Sequence, residues 1–218
     1  MPAPVLPQLS LVPILHVVTN DRVAGDPRFL SRASAVLEAM GNRGALHLRG
    51  HAVSGGRLYT LALALAPLAA ASGAWLVVND RVDVALATGV RRVQLTARSL
   101  TTAHVHALPG EWHIGLSVHE PAEAAAAEMA GASWVIAGNV FATPSHAGAG
   151  GGLPFVRAVA AATRLPVIAI GGIRPDAVAG LRHAGAAGVA VIRGVWDAGD
   201  AVGASTAYLT AYDAGGHE

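Results

Sequence analysis

Short runs of apolar, β-favouring residues alternate along this chain with longer Ala-, Leu- and Val-rich segments. The short runs fall at 14–18, 45–49, 75–78, 92–95, 113–117, 134–137, 166–170 and 188–192. Most of their positions are apolar rather than alternating with polar ones, as in parallel strands buried on both faces. Helical stretches follow at 27–40, 57–71, 81–87, 100–107, 121–130, 154–162, 175–184 and 198–212. Several open with proline or just after Asp or Ser, and several close on glycine, as at Gly41, Gly73, Gly89, Gly131 and Gly185. Those are the start and stop signals of helices. Eight strand–helix repeats predict a (β/α)8 TIM barrel. The rival is an open doubly wound sheet, which has fewer units and a Gly-rich first crossover. The turn after the first run reads Thr19-Asn20-Asp21-Arg22 instead. A length of 218 residues suits one domain. The expected layout is a single barrel over 1–218, with 1–12 as an N-terminal extension and 214–218 as a frayed tail.

Composition then narrows the chemistry. With 53% hydrophobic and 13% charged residues the chain is no solvated, disordered polymer. A net charge of +1 makes no case for nucleic acid or an anionic membrane as partner. All 15 basic residues are arginine, which removes Schiff-base and phosphate-loop lysines. The absence of cysteine removes disulfides and thiolate nucleophiles. The apolar start at 1–15 has no basic leader and is broken by Pro2, Pro4, Pro7 and Pro13. The run at 58–71 holds Pro67 and is shorter than the roughly 20 residues of a bilayer span. A cytoplasmic location is expected, and a homodimer through outer helices is compatible with the apolar composition.

Barrel enzymes carry their chemistry at the C-terminal ends of the strands. Here those positions hold Thr19-Asn20-Asp21, His47-Arg49-His51, Asn79-Asp80, Gln94-Thr96, Ser117-His119, Asn139-Thr143, Gly171-Gly172 and Arg193-Gly194. His47, Arg49 and His51 alternate and so share one side of the second strand. There Arg49 is suited to a carboxylate or phosphate, and the two histidines to substrate or protons. Glycines after strands seven and eight suit a phosphate held by backbone N–H groups, at Gly171, Gly172 and Gly194, with Arg193 beside them. His119 is a candidate general acid/base, with His51. Asn79, Ser117, Asn139, Thr143, Ser145 and His146 complete the expected substrate-binding set. The last two lie in the glycine-rich stretch at 143–152, read as a lid or slack loop. His16, inside an apolar run, reads as a satisfied core residue. No metal site is expected, because Asp80 is the only firm carboxylate at the mouth.

Over 14–194 the residues resemble the thiamine phosphate synthase/TenI family. The likeness rests on VNDRVDVAL at 78–86, RVQL at 92–95, HIGLSVHEPAEA at 113–124, AGNVFATPSH at 137–146 and PVIAIGGI at 166–173. The synthase branch joins a hydroxymethylpyrimidine pyrophosphate to a thiazole phosphate, with magnesium neutralising the pyrophosphate. It typically has QLREK on strand two, where this chain has HLRGH. Ser99 stands where that branch has a second magnesium carboxylate, and His146 where it has a lysine. The H-x-R pattern of His47 and Arg49, RVQL and the His119 segment resemble the thiazole tautomerase branch more closely. That resemblance implies a carboxythiazole phosphate isomerised by proton transfer, without cofactor. Arg49 then meets the carboxylate, and the phosphate sits on Gly171, Gly172 and Gly194. The tautomerase turn GHVFET is GNVFAT here, so Asn139 replaces the expected acid/base and His119 or His51 must act instead. The expectation is therefore a thiazole tautomerase. A magnesium-dependent synthase and a non-catalytic thiazole-phosphate-binding protein are the alternatives.

Overall fold

The computed structural model describes residues 12–143 and 150–215. Its strands are β1 (Leu15–Val18), β2 (Gly44–Leu48), β3 (Trp75–Asn79), β4 (Arg92–Leu95), β5 (His113–Val118), β6 (Trp134–Ala137), β7 (Val167–Ile170) and β8 (Gly188–Val191). They pair in parallel in sequence order, and β8 returns to β1, closing the barrel. The expected TIM barrel is observed, with strand ends within a residue or two of those read from the pattern. The tail beyond Gly215 and the extension before Val12 lie outside the described residues.

Mostly apolar strands follow from two separate buried layers. Leu15, Val17, Leu46, Leu48, Leu76, Val78, Val93 and Leu95 face outward into one core shared with the helices. The alternate positions Val18, Ala45, Trp75, Val77, Trp134, Ile136, Ile168 and Ala190 fill the barrel interior. Both strand faces are thus apolar, which erases the period-2 signal of a one-sided sheet. Gly115 makes room for the interior: a Cβ there would lie 2.2 Å from Trp134 Nε1 and from Gln94 Oε1.

The helices cover the outer face. They are α1 (Asp21–Gly25), α2 (Phe29–Met40), α3 (Gly55–Ser72), α4 (Val82–Thr88), α5 (Thr102–His106), α6 (Pro121–Met129), α7 (Gly152–Ala162), α8 (Val178–His183), α9 (Arg193–Trp196) and α10 (Ala201–Ala214). In α3 the buried Leu58, Leu61, Ala62, Leu65 and Ala69 recur at helical spacing. Ser54 accepts from Arg57 N–H to start that helix, and Gly73 ends it in the left-handed region at φ 76°. Pro67 lies inside it, so the apolar run is a core-facing helix. Among the described residues no helix is long and apolar enough to cross a membrane.

Two short helices escaped the pattern. In α1, Asn20 caps the helix by accepting from Val23 N–H at 3.0 Å. In α9, Trp196 packs edge-on to Phe29 and donates its indole N–H to the Val18 carbonyl at 3.0 Å. Five and four residues are too few for a 3.6-residue period to show.

Candidate active site

The polar strand ends converge at one mouth, as the barrel requires. On β1 and β2, the Thr19 hydroxyl donates to the Arg49 carbonyl at 2.7 Å and accepts from Arg49 N–H at 2.8 Å. This double contact fixes the backbone from which the half-buried Arg49 side chain springs. The Arg49 guanidinium lies against Nε2 of the exposed His51. Asp21 accepts from Ala52 N–H at 2.6 Å, tying the loop after β2 to α1.

His47 behaves differently from its two alternating neighbours. It is fully buried below the mouth and both ring nitrogens are engaged. Nε2 lies 2.8 Å from His16 Nδ1, and Nδ1 lies 3.0 Å from the Asn79 carbonyl oxygen Oδ1. His16 in turn meets the Pro13 carbonyl through Nε2 at 2.9 Å. Burial holds His47 down to about 4, against the raising effect of a hydrogen bond accepted by the Asn79 carbonyl oxygen. Burial, then the neighbouring His47, holds His16 well below the ordinary histidine range. Both rings are therefore neutral near pH 7. Of the three residues on this side of β2, only Arg49 and His51 stand beyond the strand end.

Between β3 and β4 sits a mouth carboxylate that hydroxyls orient. Asp80 adopts φ 60°, a conformation uncommon for any residue but glycine and better tolerated by Asp than by most. Its Oδ1 accepts from Thr96 Oγ1 at 2.8 Å and from the Ser99 hydroxyl. On β4 and β5, Trp134 Nε1–H donates to Gln94 Oε1 at 2.9 Å, and Gln94 Nε2 donates to Ser117 Oγ at 3.1 Å. Gln94 itself is buried, so this contact supports Ser117 from below. No signal in the sequence marked Trp134 as its anchor, since the two are 40 residues apart.

His119 is exposed, and its Nδ1–H donates to the Gly138 carbonyl at 2.6 Å. Its backbone N–H donates to Glu123 at 2.5 Å. Nε2 is the ring position left for a ligand. Asn139 follows Gly138 through a cis peptide bond and is half-buried. Thr143 is half-buried at the end of the first described segment, whereas Ser145 and His146 lie outside the described residues.

The glycine turns prove to have packing reasons as well. Gly171 and Gly172 take φ 112° and 64°. A Cβ on Gly172 would lie 2.7 Å from the Ala142 carbonyl, and one on Gly171 3.0 Å from Val140 N. Phe141 N–H bonds the Gly171 carbonyl at 3.0 Å, so the turn after β7 is stitched to the segment after β6. A Cβ on Gly194 would lie 2.2 Å from the Tyr208 hydroxyl, which donates to the Ile173 carbonyl at 2.9 Å. Gly172, Arg193 and Gly194 are exposed at this rim. The arrangement offers a cationic guanidinium, one oriented carboxylate, an amide, a hydroxyl and an open glycine rim.

Known proteins share this framework. The profile of the family described as thiamine monophosphate synthase matches residues 15–195. A thiamine-phosphate synthase of Roseiflexus castenholzii is 38% identical over 197 residues, covering 89% of this chain and 86% of that protein. Its counterpart from Moorella thermoacetica is 36% identical over 194 residues, covering 88% and 91%. A thiamine phosphate pyrophosphorylase structure from Pyrococcus furiosus superposes with a TM-score of 0.81 at 28% identity, covering 94% of this chain and 97% of that one. These relatives overturn the expectation of a thiazole tautomerase, because the proteins matched over most of the chain carry the synthase name. Of the H-x-R pair, His47 is buried against His16 and only Arg49 extends beyond the strand end.

Proposed function

The chain belongs to the thiamine monophosphate synthase family, and from that premise we propose that it is a thiamine-phosphate synthase. The observation that carries this reading is the 36–38% identity to proteins of that name along most of the chain. The reaction joins a hydroxymethylpyrimidine pyrophosphate to a thiazole phosphate. The thiazole nitrogen lone pair forms a bond to the pyrimidine methylene carbon, and the carbon–oxygen bond to pyrophosphate breaks. Pyrophosphate leaves with the electron pair, so this step needs charge stabilisation on the leaving group and no proton relay.

The mouth residues suit those demands. Arg49 supplies fixed positive charge for pyrophosphate from a backbone pinned by Thr19. The glycine rim at Gly171, Gly172 and Gly194, with Arg193 near it, offers backbone N–H groups and charge to the thiazole phosphate. Asn79 and Ser117 are held from beneath and present polar groups to the pyrimidine. His51 lies beside Arg49 and shares the anion end, while His119 and Asn139 border the thiazole side.

Among the described residues no three His, Cys, Asp or Glu side chains converge as a resident metal site. Magnesium, however, is commonly held by one or two carboxylates together with substrate phosphate oxygens. Asp80, oriented by Thr96 and Ser99, fits an ion that arrives with the pyrophosphate. Bound there, magnesium supplies neutralisation of the leaving group's charge.

The test is to mix purified protein with both substrates and follow pyrophosphate release and thiamine phosphate formation. Magnesium-dependent release requiring both substrates is expected. Folded protein that forms neither product under these conditions overturns the reading.

A further inference from the structure

At the end of the barrel opposite the mouth, charge and apolar surface meet a second time. Trp75, Arg92 and His113 are the first residues of β3, β4 and β5, so they mark that base. Beside them runs a cleft of about 330 Å³. One wall is apolar, made by Ala66 and Ala69 of α3 with Leu76 of β3. The other is polar, made by Arg91, Arg92, Glu111 and His113.

The polar wall is cationic. Arg92 and His113 are register partners across β4 and β5. Burial, then the Arg92 charge, hold His113 below the ordinary histidine range against the pull of Glu111, so its ring is neutral near pH 7. Two guanidinium groups and one carboxylate therefore leave a net charge of +1 on this wall. Helices α3 and α4 end close by, at Ser72 and Thr88, and their last carbonyls add partial negative charge. The match is a group with one negative charge rather than two. Arg92 is also short of partners. Its guanidinium lies 4.6 Å from the Trp75 ring centroid, and its Nε–H is buried without a hydrogen-bond partner among the described residues. A half-buried guanidinium in that state is costly, and the oxygens of an anion relieve it.

We propose that this cleft binds a small monocarboxylate with a compact apolar body, its carboxylate on the Arg92 guanidinium and its body against α3. Nothing in this site depends on the reaction at the mouth.

The test titrates the full-length protein with cyclohexanecarboxylate at constant ionic strength. It follows the Arg92 Nε–H and Trp75 indole N–H signals by 1H–15N NMR. Saturable shifts of both are expected. Arg92→Leu should weaken the binding by about tenfold or more. Arg49→Leu, which removes the guanidinium at the mouth, should leave the shifts in place. Cyclohexanecarboxamide, which has the same shape without the charge, should shift them little. Shifts that grow without saturation, equal binding of the carboxamide, or binding abolished by Arg49→Leu but kept by Arg92→Leu overturn the proposal. If Arg92→Leu does not fold, Glu111→Gln decides, because Glu111 is exposed and opposes the charge on the wall. That variant should bind cyclohexanecarboxylate about threefold more tightly, and an unchanged or weaker affinity overturns the site.

Discussion

The barrel interior is built on opposite terms at its two ends. Toward the mouth, Pro13, His16, His47 and Asn79 pass one hydrogen bond to the next, as do Trp134, Gln94 and Ser117. At the base, charge rests on aromatic faces instead. The Arg92 guanidinium lies 4.6 Å from the Trp75 ring centroid, and Arg91 lies 5.0 Å from that of Trp112. Trp75 also packs against Trp134 at 5.7 Å and His113 at 6.1 Å. There Arg92 Nε and Trp112 Nε1 are buried without hydrogen-bond partners among the described residues. Burial holds Arg92 below the ordinary arginine range, and burial followed by the Arg92 charge does the same to His113. The contrast teaches where polarity matters. Stacking fills the base without specifying donors and acceptors, whereas hydrogen-bonded side chains fill the interior nearer the mouth.

The largest expected effect falls where the two regions meet. Gly115→Ala would place a Cβ 2.2 Å from both Gln94 Oε1 and Trp134 Nε1, in backbone that cannot yield cheaply. A loss of roughly 3 kcal/mol is expected, at the upper end of overpacking costs. Urea unfolding checks it, and a loss below about 1 kcal/mol would show the interior to be looser than its contacts indicate.

Acid is the next lever on the mouth. His47 has its folded value depressed to about 4 from 6.5, so the unfolded chain takes up the proton first. Its stabilising contribution is complete above pH 6.5 and is lost as the pH falls toward 4. The loss amounts to about 3 kcal/mol. Unfolding measured at pH 7, 5 and 4 should show this slope, and His47→Gln should flatten it. A His47→Gln protein with an unchanged slope would break the comparison, since the buried pair would then not be its source.

Two substitutions to leucine sharpen the contrast. Gln94→Leu leaves the Trp134 N–H buried without an acceptor and withdraws the donor from Ser117. About 1–3 kcal/mol of stability should be lost, with an impaired synthase rate. Arg92→Leu removes a cation for which no ion pair is found among the described residues, and keeps an apolar side chain over Trp75. A change within about 1 kcal/mol and unaltered kinetics are expected. If Arg92→Leu proves the costlier of the two, stacking at the base outweighs the hydrogen bonds above it.

Much of the framework was legible from pattern alone. The run at 134–137 coincides with β6, WVIA. A parallel strand buried on both faces must be apolar at nearly every position, and that needs no partner to be seen. Helix boundaries were legible through proline starts and glycine stops, as at Pro121 and Gly73. The short α1 and α9 were not, because no period develops in so few residues. At the site, alternation put His47, Arg49 and His51 on one side of β2 but could not say how deep each lies.

Depth and partnership came from closure of the barrel. His16 and His47 are 31 residues apart, Trp134 and Gln94 are 40 apart, and Trp196 reaches Val18 across 178. Local chemistry thus determined which segments become strands and helices and which side chains gather at their C-terminal ends. Tertiary structure alone decided that His47 turns inward to a second histidine, that Gly115 yields its space to Trp134, and that Gly194 yields its own to Tyr208. A hydrogen bond or a packing contact between distant residues leaves no periodic trace along the chain. Its polarity is settled only when the two partners have been brought face to face.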